Sequence, residues 1–102
     1  MANVREMVRR VELQNDRRTI YVFRFQDRVK IGITRDLEER LRGFTQVLGP
    51  IELLAEFPGT LVDEARFLAR FAEHRLFGEW FTAAPELLAW AAAIHTTHRR
   101  AR

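Results

Sequence analysis

The sequence predicts a small α+β domain: a three-stranded antiparallel sheet flanked by helices, with an N-terminal helix before it. Two stretches rich in β-branched and aromatic residues, separated by Gln26-Asp27, indicate a hairpin. A third such stretch lies between two segments whose apolar residues recur at helical spacing. The 102 residues suffice for one compact domain but not for two. We therefore expect one domain over residues 1–102, with its core at about 19–92, the N-terminal helix at 1–18 and a basic tail at 95–102.

The N-terminal helix is predicted from apolar residues at helical spacing between Val4 and Val11, with Asn3 as a candidate cap. The hairpin strands follow at residues 19–25 and 28–33. A two-residue turn pairs Tyr21 with Gly32 and Phe23 with Lys30, which puts these four residues on one face. The opposite face is a conventional core face, and it carries Ile20, Val22, Ile31 and Ile33. Gly32 should leave a space in which a ligand or another backbone could approach.

The second helix has two candidate caps, Thr34 and Asp36, and it ends at Gly49-Pro50. Its predicted buried stripe consists of Leu37, Leu41, Phe44 and Leu48. Arg40 lies beside that stripe, at the boundary between core and solvent. A third strand is expected at residues 51–57.

The next helix begins at Thr60 or Asp63 and carries Glu64 beside its apolar face. Its predicted stripe consists of Leu61, Ala65, Leu68 and Ala72, widened by Phe67 and Phe71. The aromatic stretch at residues 77–81 is expected to be a break that plugs the core. The last helix starts at Pro85, and the basic tail after residue 94 is expected to fray.

Composition bounds the class of protein. Apolar residues make up 47% of the chain and charged residues 30%, which is typical of a soluble globular fold. The absence of cysteine excludes disulfides and thiolate metal sites. The sequence has no apolar run approaching a membrane helix and no secretory signal pattern, so we expect a cytoplasmic location.

The basic residues are almost all arginine. Lys and Arg number 17 against 14 Asp and Glu, a net charge of +3, and Lys30 is the only lysine. Guanidinium groups bind phosphate oxygens bidentately, although a GC-rich genome would produce the same arginine bias. The charge therefore permits nucleic acid as a partner without requiring it.

Taken singly, the polar residues of the hairpin and helices have ordinary explanations. A strand tyrosine such as Tyr21 usually packs, and a strand lysine such as Lys30 is usually solvated. Arg40 could form a surface ion pair, which contributes little to stability. Glu64 could simply favour the helix dipole. His74, His95 and His98 lack ligand spacing with a carboxylate, so no metal site is assigned to them.

In combination, these residues resemble a known family. The pieces are Tyr21-Val22, Val29-Lys30-Ile31-Gly32, Thr34, Arg40, Glu64 and Gly78-Glu79-Trp80-Phe81. Their order and spacing resemble the GIY-YIG endonuclease superfamily, and more closely its phage-associated T5orf172/Mug113-like branch. The resemblance covers roughly residues 19–92. Each motif piece alone is weak evidence for the family, whereas the order and spacing of all the pieces together are fairly specific for it.

The resemblance implies a catalytic role for four residues. Tyr21 is expected to act as general base or to position the attacking water, and Lys30 to polarise that nucleophile. Arg40 is expected to stabilise charge on the phosphorane. Glu64 is expected to hold one divalent ion, Mg²⁺ or Mn²⁺, which suits a hard cation with oxygen ligands. A tyrosine base needs a pKa below its free value of about 10, and we expect Lys30 and Arg40 to lower it.

The implied partner is DNA, cut by metal-dependent hydrolysis. Basic side chains expected to contact it are Arg24, Arg35 and Arg42. Gly32, Thr34, Gly78, Trp80 and Phe81 are expected to be structural motif residues. Sequence specificity would come from a homodimer or a partner subunit, or the protein would have none. Phe44 and Leu68 stand where some relatives have histidine, so the alternative is an inactive module that binds nucleic acid or protein, or a purely structural subunit.

Overall fold

A computed structural model describes residues 18–101, with side chains described up to residue 94. The predicted N-terminal helix lies outside the described residues except for Arg18, which opens the first strand. The elements are β1 (Arg18–Phe25), β2 (Arg28–Thr34), α1 (Leu37–Leu48), β3 (Glu52–Gly59), α2 (Leu61–Arg70), a 3-10 turn (Ala72–His74), β4 (Arg75–Phe77), β5 (Trp80–Thr82) and α3 (Pro85–Ala101). The domain is therefore α+β with helices flanking a sheet, as the sequence predicts.

Within residues 18–101, the sheet has five antiparallel strands in the order β3-β1-β2-β5-β4, so the prediction of three strands was wrong. The two additional strands have three residues each and form a hairpin around Gly78, whose φ is +52°. Strands this short carry no readable periodicity. They form because β5 pairs with the start of β2, where Val29 lies opposite Phe81 and Lys30 opposite Trp80. The stretch interpreted as a break is therefore the edge of the sheet.

The predicted register of the first hairpin is confirmed. Tyr21 lies opposite Gly32 and Phe23 opposite Lys30, and the turn consists of Gln26 and Asp27. Gln26 has a φ of +56°, a left-handed conformation that is uncommon for a residue with a Cβ. The strand alternation thus puts the predicted residues on the predicted faces.

Both faces of the sheet are covered. Ile20, Val22, Val29 and Ile31 are fully buried beneath α2 and α3, and Phe81 joins the same core. The remaining members of this core are Ala55, Phe57, Phe71, Leu87 and Ala91. The other face lies beneath α1, where Tyr21, Phe23, Phe44 and Trp80 form an aromatic cluster.

The helix starts resolve the open alternatives. Asp36 caps α1 by accepting a hydrogen bond from the backbone N–H of Glu39 at 3.1 Å, and Thr60 caps α2 in a capping box with Asp63. The predicted α1 stripe, Leu37, Leu41, Phe44 and Leu48, is half-buried rather than buried. Among the described helices, α1 alone covers this face, and the flanks of its apolar stripe stay in contact with solvent.

The burial pattern of α2 differs from the prediction. In the predicted stripe of α2, Ala65 and Ala72 are exposed, whereas Glu64 is buried beside Phe67 and Leu68. The backbone of residues 95–101, expected to fray, continues α3 as helix. Among the described residues, none of the helices has the length and apolar character needed to cross a membrane.

Candidate active site

Tyr21 is buried in the middle of the sheet, on the face beneath α1. None of its surface is exposed. Its phenol lies over the backbone of Gly32, so closely that a Cβ at position 32 would overlap the tyrosine Oη and Cζ atoms. Gly32 therefore does leave the predicted space. The ring of Tyr21 occupies this space, so it is not open to a ligand.

Arg40 reaches Tyr21 from α1. Its Nη1 donates to the hydroxyl of Tyr21 over 3.5 Å, at the long end of hydrogen-bond distance. Phe44, one turn after Arg40, holds the helix in this position. The ring centroid of Phe44 lies 5.0 Å from that of Phe23. The aromatic packing of α1 on β1 thus places the guanidinium over the phenol.

Lys30 lies on the same face, and it is not solvated. Its side chain is 11% exposed, and its ammonium donates a hydrogen bond to Oε2 of Glu79 over 3.0 Å. The ammonium also lies 5.5 Å from the ring centroids of both Phe44 and Trp80. Aromatic faces at this distance attract a cation. Lys30 is therefore a desolvated cation with one carboxylate partner.

Glu64 projects from the first turn of α2, and its residue surface is only 9% exposed. Its Oε2 is the one buried side-chain oxygen or nitrogen, among the residues that the structure describes, without a hydrogen-bond partner. Burial raises the pKa of this carboxyl, and repulsion from Glu79 adds to that rise, while Lys30 and Arg18 oppose it. A buried carboxylate oxygen without a hydrogen-bond partner is costly and calls for a functional explanation.

Electrostatic interactions connect these residues into one cluster. Burial raises the pKa of the Tyr21 phenol above 10.0; Arg40 opposes the rise, and Glu79 and Glu64 reinforce it. Arg40 lowers the pKa of Tyr21 as expected, but burial outweighs it, so the pKa is not brought below the free value that a tyrosine base would need to fall under. At neutral pH Tyr21 keeps its proton and can orient a water molecule or phosphate oxygen by hydrogen bonding.

Glu79 is the member of the cluster that the sequence analysis did not identify. It was noted only as part of a motif, yet its carboxylate binds Lys30 and acts on both Tyr21 and Glu64. The backbone of Glu79 is held where the pairing of β5 with β2 ends, since its carbonyl accepts a hydrogen bond from Ile31 N–H at 3.1 Å. The position of Glu79 follows from the short strand β5, which was not predicted from the sequence.

A cleft of about 470 Å³ opens beside the cluster. Arg40 and Phe44 form one side of it, Trp80 another, and Thr34 lines it as well. The predicted motif residues therefore divide: Thr34 and Trp80 line the cleft, whereas Gly78 forms a turn and Phe81 is core. Phe81 as core was predicted, while Trp80 is half-buried between cleft and core.

The three arginines expected to contact nucleic acid lie outside the cluster. Arg24 is half-buried and donates to the backbone oxygen of Gln26 over 2.8 Å. Arg35 is exposed at the end of β2. Arg42 is exposed on α1 and lies 3.5 Å from a carboxylate oxygen of Glu38. An ion pair this exposed leaves Arg42 able to contact a phosphate.

His74 does have carboxylate neighbours, contrary to the sequence analysis. Its Nε2 lies 2.5 Å from Glu86 and 3.5 Å from Glu73, and one ligand atom of each residue falls within 4.8 Å of the others. Glu73 and Glu86 are largely exposed. A surface hydrogen bond between His74 and Glu86 accounts for this arrangement.

In comparisons with known proteins, no family model matches the chain, and no curated protein or solved structure matches it significantly. The class defined by fold and site is therefore an α+β domain with a mixed cation–carboxylate cluster at the edge of an aromatic cleft. Glu64 offers one buried carboxylate oxygen without a hydrogen-bond partner, and carboxylate oxygens are the ligand type that a hard divalent cation prefers.

Proposed function

We propose that the chain is a GIY-YIG-like endonuclease that hydrolyses phosphodiester bonds in DNA with a divalent metal ion, Mg²⁺ or Mn²⁺. The observation that carries the proposal is that Arg40 donates a hydrogen bond to Tyr21, while Glu64 interacts electrostatically with both Tyr21 and Lys30; the four residues come from two strands and two helices. These are the four residues to which the family resemblance assigns catalysis.

Each residue has a part that its surroundings support. Glu64 would hold the metal, which when bound would polarise the phosphate and a water molecule. Arg40 lies at the cleft and can stabilise negative charge that develops on the phosphorane. The neutral hydroxyl of Tyr21 can orient the attacking water, once Arg40 moves aside to admit it. Lys30 supplies a fixed positive charge beside the reacting group.

Arg24, Arg35 and Arg42 would contact the DNA backbone around the cleft. Such contacts bind phosphate without reading sequence. We propose that specificity comes from a homodimer or a partner subunit.

A second candidate is a related module that binds nucleic acid without cutting it. The observation that favours it is the complete burial of Tyr21 beneath Arg40 and Phe44, whose ring centroid lies 6.4 Å from that of Tyr21. A catalytic hydroxyl has to contact water or substrate, and here it does so only after α1 side chains rearrange.

A plasmid-nicking assay tests the choice between these candidates. We expect supercoiled DNA to be nicked with Mg²⁺ or Mn²⁺ and to remain intact with EDTA. Glu64→Gln should abolish nicking while DNA binding persists. Binding without cleavage across both metals and across single- and double-stranded substrates would favour the second candidate.

A further inference from the structure

Glu79 forms an ion pair with the only lysine of the chain, and its charge acts on the carboxylate proposed as metal ligand. We infer that Glu79 is a positioning residue: by fixing the Lys30 ammonium, it keeps the Glu64 carboxylate open to a divalent cation. The inference rests on the proposed function, because it takes Glu64 as the metal ligand.

Two carboxylates compete for Lys30. Glu79 binds the ammonium at 3.0 Å, whereas Oε2 of Glu64 has no partner. Lys30 and Glu64 nevertheless interact electrostatically, so the ammonium lies near both carboxylates. The side chain of Lys30 is 11% exposed and enclosed by Phe44 and Trp80, which prevents it from turning away into solvent.

The backbone pairing of β2 with β5 favours Glu79 over Glu64 as the partner of Lys30. Lys30 pairs with Trp80 across β2 and β5, and the carbonyl of Glu79 accepts the next hydrogen bond from Ile31. The two backbones are therefore fixed side by side, and the ion pair costs little additional ordering. Glu64 lies on α2, so no backbone hydrogen bonds of the sheet fix its position relative to β2 or β5.

Loss of the Glu79 charge would release Lys30 to its other neighbour. A desolvated ammonium strongly favours a carboxylate over an apolar surrounding. An ammonium bound to Glu64 would neutralise that carboxylate and occupy the oxygen that a metal ion needs. Lys30 would then change from a fixed charge beside the site to a competitor within it.

Metal affinity gives the first test, with Mn²⁺ as the probe and isothermal titration as the measurement. Glu79→Gln should bind Mn²⁺ about tenfold more weakly than wild type, in the range typical of residues that support metal ligands. Glu52→Gln, which changes an exposed carboxylate on β3, should leave Mn²⁺ affinity unchanged. Equal affinities of Glu79→Gln and wild type would overturn the inference.

A double-mutant cycle separates release of Lys30 from simple loss of a negative charge. Lys30→Met should change Mn²⁺ affinity little in the wild type and should recover most of the lost affinity in Glu79→Gln. Loss of charge alone would make the effect of Lys30→Met the same in both backgrounds. Additive effects would therefore overturn the inference.

Because Lys30 is the only lysine, selectively labelled lysine gives one side-chain NMR signal in the metal-free protein. In Glu79→Gln, this signal should shift strongly when Glu64→Gln is added; in the wild type the same change should have a small effect. An equal response in both backgrounds would overturn the inference. Failure of the wild type to bind Mn²⁺ would instead reject the metal role of Glu64 and the proposed function, and the NMR result would still decide which residue holds Lys30.

Discussion

The phenol of Tyr21 lies on the backbone of Gly32, in the space that a side chain at position 32 would occupy. The two residues are direct partners across β1 and β2. This relationship fixes the position of the hydroxyl that Arg40 contacts. It also makes position 32 a structural determinant of the site, although a glycine carries no chemistry of its own.

We predict that Gly32→Ala destabilises the domain by about 1–3 kcal/mol, the usual cost of inserting a methyl group into a filled core. The added Cβ would overlap the Tyr21 ring, which is buried and has no room to withdraw. Urea denaturation gives the measurement. Gly43→Ala is the matched control, because Gly43 lies inside α1 with nothing within 4 Å, and it should stabilise the domain by up to about 1 kcal/mol. Equal effects of the two changes would contradict the packing.

Tyr21 is the only tyrosine, so absorbance near 295 nm reports its ionisation alone. We predict a titration midpoint above 10.0 in the folded protein, since burial disfavours the phenolate. Arg40→Met should move the midpoint higher, because Arg40 lowers this pKa. The urea-unfolded chain supplies the reference. A folded midpoint at or below the reference would mean that the hydroxyl is activated as a base.

The stability of the wild type relative to Glu64→Gln should depend on pH. The pKa of Glu64 is raised in the folded state above its ordinary value of 4.5, which it has in the unfolded state. At pH values between these two pKa values, the folded state therefore binds more protons than the unfolded state. The relative free energy of unfolding should therefore fall as pH rises through 4.5 towards the folded-state pKa and level off above it. Denaturation at a series of pH values gives the measurement. At neutral pH, Mn²⁺ should restore stability to the wild type and not to the variant.

Arg40 and Arg42 should separate catalysis from binding. Arg40→Ala should lower the nicking rate by about 10² or more, with little loss of DNA affinity, because Arg40 acts on charge in the transition state. Arg42→Ala should weaken DNA binding uniformly and reduce the salt dependence by about one unit of slope, with a small effect on the rate at saturating DNA. Single-turnover nicking and salt-dependent binding measure the two effects. The reverse pattern would exchange the roles of the two arginines.

The parts of the site that follow from local pattern could be predicted. Strand alternation and a two-residue turn are enough to pair Tyr21 with Gly32 and to put Lys30 on the same face. Strand alternation and turn length depend only on residues close together in sequence, and the pairing predicted from them is the one observed.

The parts that depend on tertiary contacts could not be predicted. Glu79 reaches Lys30 only because a strand of three residues pairs with β2, and 49 residues separate the two in sequence. The net direction of the Tyr21 pKa shift could not be predicted for a similar reason: Arg40 lowers the pKa as expected, but burial raises it more. Nearby cations can be inferred from a motif, whereas the depth of burial depends on how α1 packs.

Among the described residues, the sheet ends in β3 on one side and in β4 on the other. β4 has three residues, and β3 contains Pro58, which has no N–H to donate. Exposed strand edges recruit other strands, and short or proline-containing edges recruit them poorly. A second copy that joins this domain would therefore be expected to do so through side chains of the helices and loops. In such an assembly the sheet of each subunit would remain separate, and each would keep a complete cluster of its own.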